Sequence, residues 1–150
     1  MADPEATGST DPAAPPALPP IEPPDFSIDT EKNQFSVRVL VYKLDDQEAV
    51  LRDADLKPIT EKDLGMFTFR LPTIGEFVDI NVRVAERLRG MHVFLEPLMY
   101  RFGEAMETLP VVTTTLPQGW VWGKLVYPTH MRAVSAVYRE YTAGLSRFRE

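Results

Sequence analysis

The chain contains no cysteine. That excludes disulfides, thiolate catalysis and Cys-ligated zinc, and it fits a reducing compartment. Only two histidines occur, His92 and His130. Neither has a partner at ligand spacing, and both fall at the edges of expected helices, where a surface or capping role is the reading. No apolar run approaches the ~18–20 residues of a membrane-spanning helix. A basic stretch followed by an apolar one is missing at the start, so no secretory signal is expected. GxGxxG, P-loop, GxSxG and HExxH patterns are all absent. The acids Asp45, Asp46, Glu48, Asp53 and Asp55 lack the central glycine and terminal glutamate of a calcium loop, and read as a solvated turn region. With no nucleophile–base pair and no metal set, the expectation is a protein without catalytic residues, metal or cofactor.

Charge of either sign is scarce in net terms outside one segment. Residues 1–34 hold seven acids and one base, Lys32, whereas the remainder holds fifteen acids and fifteen Lys/Arg. The whole net charge of −6 therefore belongs to the N-terminal segment. A neutral body offers no electrostatic footprint for nucleic acid. Eight of the fourteen prolines lie in residues 1–25, where Met1, Leu18 and Ile21 are the only sizeable apolar side chains. Such a segment cannot bury enough surface to offset the cost of ordering it. The expected organisation is a disordered, Pro-rich, acidic tail over 1–25 and a single α+β domain over 26–150.

Residues 35–44 (FSVRVLVYKL) alternate in period two, with Phe35, Val37, Val39 and Val41 on one side. Residues 66–71 (MFTFRL) do the same with Phe67, Phe69 and Leu71. Both read as strands, most simply paired antiparallel. Asp45 and Asp46 form a turn, residues 49–52 read either as a further short strand or as part of a helical turn over 48–56, and no internal repeat is apparent. Pro72 ends the second main strand, since proline gives no N–H to a ladder. Thr73-Ile74-Gly75-Glu76 has the form of a capping box. Ile74, Phe77, Val78, Ile80, Val84, Ala85 and Leu88 then recur at helical spacing up to Gly90, a natural left-handed stop. A second helix starts near Pro97 and carries Phe94, Leu95, Leu98, Phe102, Ala105, Met106 and Leu109 as its apolar stripe; Pro110 is expected to end it. Residues 111–117 read as extended or irregular, and 118–123 as a glycine-flanked aromatic loop. The third helix runs from about residue 128 towards 147. Gly144 weakens it by about 1 kcal/mol relative to alanine, so fraying of its last turns is expected. The fold class is α+β: a small antiparallel sheet at the N-terminal side (35–71), then a three-helix body (73–150).

Two features admit two readings. Trp120 and Trp122 either cap a small core from their loop or contact a partner. The apolar stripes of the helices either fill a three-helix core or leave an exposed groove, since the third helix carries apolar and aromatic residues on more than one side. If a partner surface exists, Trp120, Trp122, Tyr138, Tyr141 and Phe148 are its candidate residues.

The order of motifs is similar to that of a known family. Phe67-Thr68-Phe69-Arg70-Leu71-Pro72-Thr73 precedes a helix, and Glu104-Ala105-Met106-Glu107-Thr108-Leu109 ends the next. Leu116-Pro117-Gln118-Gly119-Trp120 follows, then Val137-Tyr138-Arg139-Glu140-Tyr141 and a final Ser146-Arg147-Phe148-Arg149. Over residues 66–149 this resembles the tail assembly chaperones of long-tailed bacteriophages. The resemblance implies a non-enzymatic protein of the host cytoplasm that binds the long helical tape measure protein, helps to recruit tail tube subunits, and leaves before the virion is complete. It implies no cofactor, no nucleic acid and no membrane, and leaves self-association open. The chain departs from the pattern in its long acidic tail and in Pro110 directly after Thr108-Leu109. Those departures keep a second expectation in view: a structural subunit of a phage tail, baseplate or related injection machine that stays in the particle.

Overall fold

The computed structural model describes residues 17–89 and 97–149. The fold is α+β, with a four-stranded antiparallel sheet built mainly from the N-terminal side and three helices. The strands are β1 (Ser27–Asp29), β2 (Gln34–Tyr42), β3 (Thr60–Arg70) and β4 (Thr113–Thr115), in spatial order β1-β2-β3-β4. The helices are α1 (Ile74–Leu88), α2 (Pro97–Val112) and α3 (Met131–Phe148).

The period-two reading of β2 and β3 translates directly into a covered face. Phe35, Val37, Val39, Val41, Phe67 and Phe69 all point inward and are buried. The outward face is polar, with Ser36 and Thr68 joined by a hydroxyl–hydroxyl hydrogen bond of 2.8 Å. β3 begins six residues earlier than its alternation suggests. Its first half is charged and exposed, so hydrophobic pattern does not mark it. A register shift follows Val39, where Gly65 sits at φ +97°. A side chain at 65 would be strained there and would also crowd Pro117.

Between β2 and β3 the chain makes a small three-armed device. Lys43 N–H donates to Ile59, Leu51 N–H to Lys43 and Ile59 N–H to Leu51, each at 2.9 Å, closing a ring of three backbone bonds. Two arms are tight turns eight residues apart. Asp45 accepts from the amides of Gln47 and Ala49, and Asp53 from those of Asp55 and Lys57. Glu48 and Leu56 take the left-handed conformation at matching places. The expectation of no internal repeat is thus corrected: the repeat lies in Asx-type turn chemistry, not in apolar pattern. These acids are committed to turns, and no group of three His, Asp or Glu among the described residues could hold a metal.

The capping box is present as read. Glu76 N–H donates to Thr73 Oγ1, and Thr73 N–H donates to Glu76 Oε1, both at 3.1 Å. The helix ends at Leu88 with Arg89 as a left-handed cap; the expected stop at Gly90 lies outside the described residues, as do His92, Phe94 and Leu95. Pro110 does not end α2. It occupies the last turn, where the core holds Leu109 and Val112 fully buried and Thr113 Oγ1 donates to the Leu109 carbonyl at 2.6 Å. The stretch expected to be extended or irregular over 111–117 is helix through Val112 and then extended as β4. His130 precedes α3 and its Nδ1 accepts from Val126 N–H at 2.9 Å. α3 continues through Phe148, and Gly144 has a packing reason: a Cβ there would overlap the Phe35 ring.

The main core lies between the inner sheet face, α2 and α3, with Phe35, Phe69 and Tyr141 in mutual aromatic contact at its centre. The expected tail boundary falls beside this core. Pro24 carbonyl accepts from Arg38 N–H, Asp25 pairs with the Arg38 guanidinium, and Phe26 packs on Phe35. α1 stands apart. Its buried residues, Ile80, Val84 and Leu88, form their own small cluster with Val111 of α2. No helix among the described residues is long and apolar enough to cross a membrane.

Candidate functional site: a groove between two helices

α1 packs on α2 and α2 packs on α3, and a cavity of about 390 Å³ separates α1 from α3. Its walls are helical and share one rhythm. Ile74, Phe77, Ile80, Asn81 and Val84 line it from α1, and Tyr138, Tyr141, Thr142, Leu145 and Phe148 from α3. Within both sets side chains recur three and four residues apart, as on one face of a helix. That is the spacing of side chains that interlock with a neighbouring helix. Glu104 and Thr108 of α2 form the polar part of the floor.

The groove is open because α1 carries more apolar surface than α2 covers. At about 100° per residue, Ile80, Val84 and Leu88 occupy one sector of the helix, while Ile74, Val78 and Val82 occupy another about 120° further round. The first sector is buried. The second is not: Ile74 is 86% exposed, and Val78 and Val82 are about half exposed. Phe77 belongs to the first sector by angle yet is 60% exposed at the groove mouth. Of the two readings of the helix stripes, Phe77 follows the exposed one.

Three anchors hold α1 in this outlying place. Arg70, at the end of β3, donates to both Glu76 carboxylate oxygens and to the Val111 carbonyl, tying β3, α1 and the end of α2 together. Arg83 and Arg87 both reach Glu107 of α2. The corner at Pro72-Thr73 is fixed by the capping box. The Arg70 hydrogen bond, followed by the bond from the Thr73 amide, holds the Glu76 carboxyl at about 2, well below its ordinary value. The pattern of the sequence does not announce Arg70; an outward-facing strand residue ordinarily reads as solvated surface.

The residues named from sequence separate into two places. Tyr138, Tyr141 and Phe148 line the groove. Tyr141 does so from below, being only 3% exposed and packed between Phe35 and Phe69. Burial pushes the hydroxyls of both tyrosines up to about 12, with Glu104 adding to the shift at Tyr138. Trp120 and Trp122 do not line it. They meet edge to face at 5.3 Å, and Trp120 meets Phe67 in the same way, so both rings close the sheet end of the main core while remaining partly exposed. Trp120 Nε1 is buried and has no hydrogen-bond partner among the described residues. The residues that sequence reasoning missed are Ile74, Phe77 and Asn81. Their signal was present: the apolar arc of this helix is wider than one neighbouring helix can cover.

A second cavity, of about 320 Å³, lies where the end of β2 meets α2 and α3, and Arg101, Arg132 and Arg139 edge it. Two of these cations are already engaged, Arg132 by Glu61 and Arg139 by Glu140. Its net charge is therefore small, which leaves the groove as the stronger candidate. Comparison with known proteins adds no relative: no family model, no curated protein and no solved structure matches the chain.

Proposed function

We propose that this protein is a non-enzymatic assembly chaperone of the phage tail type, which holds helical segments of a long partner, such as a tape measure protein, in the groove between α1 and α3. One observation carries the reading: two helical walls, each lined by side chains three and four residues apart, face each other across a largely apolar opening that no helix among the described residues fills. A helix laid there would bury Ile74 and Phe77, which otherwise meet water, and helix-in-groove recognition uses this kind of surface. The motif order described above supplies the link to tail assembly. Recruitment of tail tube subunits is part of the same proposal.

The test is a pull-down of fragments of a phage tape measure protein, or of any long helical protein encoded beside this chain, using the wild type and Ile74→Asp/Phe77→Asp. Both substituted positions are exposed, so circular dichroism should be unchanged while capture is lost. Equal capture by the double variant would remove the groove from consideration. Recovery of the protein in purified particles would favour a structural tail or baseplate subunit over a chaperone that departs.

A further inference from the structure

The groove is lined by two charged residues, Arg149 at the end of α3 and Glu104 of α2 in the floor, and Glu104 identifies a feature of the helix the groove would receive. Glu104 is only partly exposed, and its carboxylate lines the cavity beside Tyr138, Thr108 and Asn81. Its one hydrogen-bond contact is long, from the Tyr138 hydroxyl at 3.4 Å. Among the described residues it takes part in no ion pair, whereas Glu107, one turn away, is shared by Arg83 and Arg87. Covering the groove with an entirely apolar helix would strip water from a carboxylate and give nothing in return, which is costly. A cation on the incoming helix removes that cost and makes a charge-assisted hydrogen bond where solvent is excluded.

On the proposed helix-binding reading, we infer that the groove takes an amphipathic helix whose apolar stripe carries one lysine or arginine midway, placed to pair with Glu104. Asn81, on the facing wall, donates its side-chain amide to the Phe77 carbonyl, and its own side-chain carbonyl has no hydrogen-bond donor among the described residues. It offers the same cation a second acceptor. Such a polar contact within an apolar seam fixes register, as buried polar positions do in coiled coils. The sign of the charge also argues against the chain's own N-terminal segment as occupant. Residues 1–25 carry five acids and no lysine or arginine.

The experiment uses the full chain and three fluorescein-labelled helical peptides, identical except at one central position in the apolar stripe: lysine, norleucine or glutamate. Fluorescence anisotropy at two salt concentrations reads the affinities. The lysine peptide should bind at least tenfold more tightly than the norleucine peptide, and the glutamate peptide most weakly. Glu104→Gln should remove the advantage of lysine, and Glu104→Lys should invert the order in favour of glutamate, with unchanged circular dichroism. Equal binding of lysine and norleucine peptides, or an order unaffected by Glu104→Lys, overturns the inference while leaving helix binding intact. Failure of all three peptides to bind overturns the helix-binding reading and this inference together. Two further results would assign the groove to another occupant and count against the proposal. One is concentration-dependent self-association abolished by Phe77→Asp. The other is a tenfold gain in affinity for every peptide on deleting residues 1–25.

Discussion

The sheet with α3 and the helix α1 are built from equally apolar sequence, yet they use it differently. Along β2 and β3 every inward side chain from Phe35 to Val41, with Phe67 and Phe69, is buried against α2 and α3. Along α1 only Ile80, Val84 and Leu88 are buried, and the rest of its apolar arc remains at the surface. The first region is a finished core. The second is a helix held out at arm's length by Arg70, Arg87 and a capping box, with half of its apolar surface unpartnered. Stability and binding are thus separated in space: packing is complete where the fold is decided and left open where a partner helix is proposed to complete it.

The largest expected effect tests this separation by truncating the same residue type in both regions. Phe69→Ala should cost about 3–5 kcal/mol in urea unfolding, as for buried phenylalanines in general. Phe77→Ala should change stability by less than about 1 kcal/mol, because its ring already meets solvent. Similar losses at both positions would mean that α1 belongs to the main core.

A smaller contrast concerns two helical glycines. Gly144→Ala should destabilise by about 1–3 kcal/mol, since the new methyl group meets the immobile Phe35 ring. Gly103→Ala should stabilise by up to about 1 kcal/mol, because a Cβ there makes ordinary contact with Leu88 at 3.7 Å and improves helix propensity. Thermal melts of both variants check the pair, and a shift in the same direction would contradict it.

These positions also mark what could be read from sequence. Alternation in β2 and β3 was legible because one face is covered and the other is not, so a one-residue slip would expose the entire apolar set. The Thr73–Glu76 box was legible because both partners lie within four residues. Pro110 and Gly144 were not legible, each for a tertiary reason. The core draws Leu109 and Val112 into one continuous helix past the proline. The Phe35 ring forbids a side chain at 144. Apolar spacing showed which arc of α1 is hydrophobic, but not how much of that arc α2 leaves uncovered. For that reason the groove wall at Ile74 and Phe77 was not singled out from sequence, while Tyr138, Tyr141 and Phe148, which were, line the same cavity.

The smallest effects probe the anchors of α1. Thr73→Ala should cost about 1 kcal/mol, and Thr73→Ser should be nearly silent. Glu76 gives the pH counterpart. Its carboxyl is lowered from 4.5 to about 2, so the stability it contributes is present above its ordinary value and is lost as pH falls through that window. In Glu76→Gln the protein should be less stable at neutral pH, and its melting temperature should fall less steeply between pH 4.5 and about 2. An unchanged acid profile would show that the Arg70–Glu76 contact does not hold the helix.

Native-state hydrogen exchange, read residue by residue with and without a helical partner peptide, tests the central claim most directly. Elements with few buried contacts open locally without global unfolding. The account predicts that α1 amides exchange through such local opening, well ahead of those in β2, β3 and α3, and that the peptide slows α1 selectively. Exchange of α1 in step with the sheet, unaffected by any helical peptide, would contradict it.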